Sequence, residues 1–162
     1  MAARRAPAGT PAVAALSAAG IRHTLLGYDH DPRATSYGLE AAEALGVDPT
    51  SVFKTLLADV DGCLVVAVVP VTGQLDLKAL ARTMGGSKAA MADPAIAQRA
   101  TGYVVGGISP IGQKRTHPTV IDETAILHET VHVSGGRRGL EVALAPDDLV
   151  EVTEGRYAAI AR

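Results

Sequence analysis

Two apolar runs, FKTLLADV (Phe53 to Val60) and CLVVAVVP (Cys63 to Pro70), are separated only by Asp61-Gly62. Asp-Gly between two β-forming stretches marks a tight hairpin, because such turns need residues that tolerate positive φ. A long hairpin at mid-chain commits the protein to a sheet, and the rest of the sequence must supply its cover.

That cover reads as helices mixed with further strands. Thr10-Pro11 is an N-cap followed by proline in the first helical position, and Gly20 is the stop. Ile21 to Gly27 reads as a strand, Tyr28 to Pro32 as a loop, and Ser36 to Leu45 as a helix ended by Gly46. Asp76 caps a helix reaching Met84, and Asp93-Pro94 opens another that ends near Gly102. Strands are expected at Tyr103 to Gly106, Thr119 to Asp122, Thr130 to Ser134 and Leu140 to Ala145. A helical turn begins at Pro146, and Tyr157 to Ala161 closes the chain. With no regular strand–helix–strand repeat, the expected class is α+β: a single domain with a mixed sheet. No repeat or linker divides it, so the expected organisation is a flexible tail at residues 1–9 and a folded domain at 10–162.

Composition narrows the function classes. At 162 residues, 48% of them hydrophobic and 20% charged, the chain suits one globular core. Aromatics are only 3%, so Ala, Val, Leu and Ile must build that core. A formal net charge of -2 gives no global positive field, and nucleic-acid contact would need local basic patches. The one cysteine, Cys63, allows no internal disulfide. No apolar run reaches the ~18 residues of a membrane span. MAARRAPAGTP lacks the apolar segment of a secretory signal, and the expected location is cytoplasmic.

Two motifs imitate known sites. HETVH (His128 to His132) matches HExxH, which holds zinc when a helix brings both histidines onto one face. Here the surroundings are β-branched and end at a glycine pair. A strand would hold the histidines about 13 Å apart, so no metal is expected. GGISPIGQK has the glycine spacing of a phosphate loop at Gly107 and Gly112, but Gln113 stands where the lysine belongs, and Pro110 removes a donor. What survives is a tight loop suited to an anionic or carbonyl ligand, or an ordinary glycine turn.

Lys54 lies among Val52, Phe53, Leu56 and Leu57. It either snorkels to water from a strand end or loses hydration in a cleft. Cys63 reads as a buried structural thiol. His30, between two aspartates, is either an oriented imidazole or part of a solvated turn. Lys114-Arg115 and Arg137-Arg138 either converge on phosphates or are two solvated loops.

Taken together, FKTLL, PVTGQLDLKALA, MADPAIAQRATGYVVGGISPIGQK and VSGGRRGLEV resemble the YbaK/EbsC group of prolyl-tRNA editing proteins, in order from about Tyr28 to the C-terminus. The resemblance implies a freestanding deacylase that removes cysteine from tRNA(Pro), and also from tRNA(Cys), on an α+β fold with a curved mixed sheet flanked by helices. Its catalytic set falls on Lys54, Gly106 and Gly107. Its substrate-binding set falls on Tyr28, Tyr37, Thr55, Ile108, Ser109, Pro110 and Ser134; family members often carry Phe at the position of Tyr37. Lys114, Arg115, Arg137 and Arg138 would meet tRNA phosphates, and prolyl-tRNA synthetase is an expected partner. No cofactor or membrane is implied, and the substrate's own thiol would attack its ester. The alternatives are a non-catalytic module for aminoacylated or phosphorylated ligands, and a deacylase for another small amino acid such as alanine.

Overall fold

The computed structural model describes residues 9–162, so the expected tail lies outside it except for Gly9. The chain opens with α1 (Pro11–Ala19), β1 (Thr24–Gly27) and α2 (Tyr37–Leu45). The hairpin β2 (Phe53–Val60) and β3 (Cys63–Pro70) follows, then α3 (Leu77–Thr83), β4 (Ala89–Met91) and α4 (Pro94–Thr101). The last third holds β5 (Thr119–Asp122), β6 (Val131–Ser134), β7 (Leu140–Leu144), α5 (Pro146–Thr153) and β8 (Arg156–Ala158).

Capping chemistry sets the helix starts. The side chains of Thr10, Ser36, Asp76 and Asp93 each accept a backbone N–H of the first turn. Gly20, Gly46 and Gly102 stop their helices in the left-handed conformation. The hairpin register runs from Phe53 opposite Pro70 to Val60 opposite Cys63.

The fold is α+β, and its sheet is divided in two. A five-stranded mixed sheet has the order β4-β2-β3-β5-β8, and a three-stranded antiparallel sheet the order β1-β7-β6. A single parallel bridge, Val52 to His132, joins them. The large sheet is buried on both faces, which explains its almost unbroken apolar strands. Phe53, Leu57, Val66, Val68 and Ile121 face Val131, Val133, Val142 and Leu144 of the small sheet, with α1, α4 and α5 closing the edges. Ala58, Val60, Val65, Ala67, Val69 and Val120 point the other way, onto Leu80 of α3 and Ile160.

Three local expectations are corrected. Tyr103 to Gly106 is not a strand, because its donors are taken locally. Tyr103 N–H donates to Thr101 Oγ1, Val105 N–H to Gln98 Oε1 at 3.0 Å, and Gly107 N–H to the Val104 carbonyl at 2.9 Å. Tyr103 is buried with its hydroxyl donating to the Ile111 carbonyl at 2.7 Å, which pins the loop as a loop. Cys63 is exposed, at the hairpin tip beside exposed Asp61 and Gly62, where the hairpin outruns the core. The segment HETVH is only partly strand: His128 follows a short 3-10 turn, and β6 begins at Val131.

Candidate active site

The bridge between Val52 and His132 is where β2 and β6 meet, and no pairing continues beyond it. One step of two residues onward, Lys54 and Ser134 line a cleft of about 370 Å³ that opens between the two sheets. The N-terminal turn of α2, the N-terminus of α4 and the loop at Val105 to Ile108 complete its walls. It falls within the usual size of a small-molecule site, and its walls are mainly apolar.

The expected residues separate into two groups. Tyr28, Tyr37, Lys54, Thr55, Gly106, Ile108 and Ser134 line the cleft. Gly107, Ser109 and Pro110 are buried behind that wall and are not among its lining residues. A Cβ on Gly107 would stand 2.8 Å from Arg137 Cα, so this glycine lets two loops pack backbone to backbone. Ser109 Oγ accepts the Ile111 N–H at 3.1 Å and braces the turn from inside.

The loop nonetheless offers donors. Among the described residues the N–H groups of Gly106 and Ile108 have no acceptor, while Gly107 N–H is used in the turn. Arg138 holds this loop in place. Its Nε and Nη2 donate to the Val105 carbonyl at 3.0 and 2.6 Å, and its guanidinium lies 4.9 Å from the Tyr37 ring centroid. Arg138 therefore bridges α2 to the glycine loop, a role its basic dipeptide did not suggest. Gly106 (φ 88°) must be glycine here, since a Cβ would meet Arg138 Nε at 2.7 Å and the Tyr37 ring at 3.0 Å.

Lys54 is half-buried. The ion pairs among the described residues, His30–Glu40 at 2.8 Å and Arg33–Asp31 at 3.3 Å, leave it out. His30 is thus oriented by Glu40 of α2 and packs against Tyr37 with ring centroids 5.7 Å apart. His132 is buried, with Nδ1 3.2 Å from Ser51 Oγ, and burial lowers its pKa. Among the described residues no cluster of three or more His, Cys, Asp or Glu is placed to hold a metal.

Sequence reasoning missed Glu141. It is only 7% exposed, lines the cleft, and makes no hydrogen bond or ion pair among the described residues. Burial raises its pKa to about 8. The Tyr28 phenol is pushed up to about 12 by burial first and by the neighbouring Glu141 second. The signal was available: Glu141 is the one charged residue in the apolar strand LEVAL.

A profile described as an aminoacyl-tRNA editing domain matches residues 30–152. Over 120 residues the chain is 40% identical to an Enterococcus faecalis protein provisionally named Cys-tRNA(Pro)/Cys-tRNA(Cys) deacylase EbsC, covering 74% of this chain and 73% of that one. It is 33% identical over 100 residues to a proline–tRNA ligase of Maridesulfovibrio salexigens, covering 62% of this chain and 17% of the ligase. A crystal structure described as a provisional trans-editing enzyme for prolyl-tRNA synthetase superposes with a TM-score of 0.85, at 24% identity, over 97% of this chain and 98% of that one. At that identity the likeness shows a shared fold.

Proposed function

The chain belongs to the aminoacyl-tRNA editing domain family, and from that premise we propose that it is a trans-acting deacylase removing cysteine from mischarged tRNA(Pro), with Cys-tRNA(Cys) as a second substrate. The editing unit is residues 10–162, the site of action is the cytoplasm, and prolyl-tRNA synthetase is the partner that presents tRNA. One observation carries the reading: among the described residues Lys54 forms no ion pair, and it shares a cleft with N–H groups of Gly106 and Ile108 that have no acceptor.

An ester carbonyl bound there would gain negative charge on oxygen as its bond to ribose breaks. Backbone donors held in place before the reaction stabilise that charge without reorganising. Lys54 supports the electron-rich side of the substrate, its ribose, phosphate or ester oxygens. The cysteinyl thiol then attacks its own carbonyl carbon. The C–S bond forms, the C–O bond to ribose breaks, and the thiol proton ends on the ribose hydroxyl. The products are a cyclic thiolactone and free tRNA. Cys63 does not line this cleft, and the step needs no protein nucleophile and no cofactor.

Single-turnover deacylation of cysteinyl-, alanyl- and prolyl-tRNA(Pro), with and without the synthetase, tests the reading. Cysteine should be released fastest, and Lys54→Ala should slow release by at least about a hundredfold with thermal stability kept. Lys54→Arg should fail as well, since a planar guanidinium does not replace a compact ammonium. Near-normal rates in Lys54→Ala would sink the assignment, and binding without turnover would mark a recognition module.

A further inference from the structure

We propose that Glu141 recognises the free α-ammonium of the aminoacyl group, so that the cleft selects esters with an unmodified amine and rejects N-acylated ones. The proposal rests on the deacylase reading of the same cleft.

Among the described residues, Lys54 and Glu141 are the only Asp, Glu, Lys or Arg side chains lining the cleft, and they form no ion pair with each other. A lysine and a carboxyl group that line one mainly apolar cleft without pairing match a ligand that is cationic at one end and rich in oxygens at the other. An aminoacyl ester is such a ligand: its ammonium sits on the carbon next to the carbonyl, away from the ribose and phosphates. Thr55 Oγ1, on the same walls, is buried with no hydrogen-bond partner among the described residues, a second polar group without an occupant.

Buried polar groups are nearly always satisfied in a working protein, and a buried carboxylate without a partner is costly. Glu141 avoids that cost by staying largely protonated near neutral pH. The same fact argues against a role as base for the substrate thiol, which would need the ionised form before the ligand arrives. A bound ammonium changes the balance: it pairs with the carboxylate and drives one proton out to solvent. The titratable group coupled to it is Tyr28, just after β1, whose phenol stays protonated through neutral pH, while Lys54 on β2 lines the same cleft. Leu26 of β1 and Ser134 of β6 are the register partners of Glu141, and Glu40 of α2 is tied to His30 and the Asp31 N–H.

The test uses amide-linked cysteinyl-adenosine, which cannot be deacylated, and its N-acetyl derivative. Titration calorimetry in two buffers of unlike ionisation enthalpy reads affinity and proton release together. The wild type should bind the free-amine probe at least about tenfold tighter than the acetylated one and release a proton on binding. Glu141→Gln should bind both alike with no proton release, its fold checked by thermal unfolding, and Glu141→Asp should keep the preference. Wild-type protein that binds neither probe, or both equally, overturns the proposal, as does a preference that survives in Glu141→Gln. A preference without turnover of Cys-tRNA(Pro) would keep the amine site and remove the deacylase reading. Turnover without a preference would do the reverse.

Discussion

Two glycine-rich loops in this chain look alike on paper. GGISPIGQKR and SGGRRG each join glycines to a basic pair, and both border the cleft. In the structure they do different work. In the first, Lys114 and Arg115 are exposed and, among the described residues, hold no side-chain hydrogen bond, while the N–H groups of Gly106 and Ile108 at the cleft wall have no acceptor. In the second, Arg138 grips the Val105 carbonyl and covers Tyr37, and the strand that follows delivers Glu141. The first loop supplies donors and is held; the second holds it and supplies a carboxyl. A basic pair next to glycines therefore does not by itself mark a phosphate site. What matters is which donors the fold leaves unsatisfied.

The sharpest way to break this pairing is at the point where the loops touch. Gly107→Ala would put a methyl against the backbone of Arg137 and Arg138, where nothing flexible can yield. A loss of about 2–3 kcal/mol in unfolding free energy is expected. Deacylation should fall with it, and denaturant melts with single-turnover rates would read both. An unchanged melt would show that the loops are not locked together.

Next in size is the carboxyl delivered by the second loop. Because the folded-state pKa of Glu141 lies above its ordinary value of 4.5, folding binds a proton that the unfolded chain gives up. Its contribution is fully present below the ordinary value and is lost as pH rises through about 8. Glu141→Gln should therefore raise the melting temperature more at about pH 9 than at about pH 5. Equal shifts at both would mean that Glu141 ionises normally in the folded protein.

Arg138→Gln removes both the grip on Val105 and the cover over the Tyr37 ring. Its hydrogen bonds are solvent-exposed, so stability should drop by no more than about 1 kcal/mol. Rates should fall about tenfold or more, because the donors on Gly106 and Ile108 lose their fixed position. Arg138→Lys should not rescue, since only the guanidinium fork reaches one carbonyl through two N–H groups. A loss confined to tRNA affinity would instead return Arg138 to a phosphate contact.

The smallest effect belongs to the first loop's own basic pair. Replacing Lys114 and Arg115 with alanine should leave the melt unchanged and weaken tRNA binding. The slope of its salt dependence should flatten by about 0.7–0.9 for each phosphate that is no longer neutralised. Filter binding across a salt series would show it. Indifference to salt would leave neither loop as the tRNA patch.

Local chemistry is readable wherever the signal lies within a few residues. Asp61-Gly62 sets the hairpin, and Thr10, Ser36, Asp76 and Asp93 start their helices, because a cap or a tight turn is satisfied by its neighbours in sequence. The resemblance found the family and brought seven of the cleft residues together by number. Tyr103 to Gly106 misleads because β-propensity competes with side chains that bind the same donors, and Gln98 and Thr101 win that competition only once α4 is in place. Cys63 misleads because the tip of a hairpin and its middle share one pattern of residues, and only the reach of the core distinguishes them.

What the sequence determined by itself is therefore the central hairpin, the capped helices with their starts, and the presence of a lysine in an apolar strand; the short strand at Ala89–Met91 and the loop at Tyr103 to Gly106 were not legible in it. Only the tertiary structure decided that the sheet divides after Val52 and His132, that Arg138 turns inward to Val105, and that Glu141 lines an apolar cleft without a partner among the described residues. The physical reason is common to all three. Caps and turns are closed by groups a few positions away. Whether a buried charge or a backbone donor is satisfied depends on residues as distant as Val105 and Arg138, which no local pattern brings together.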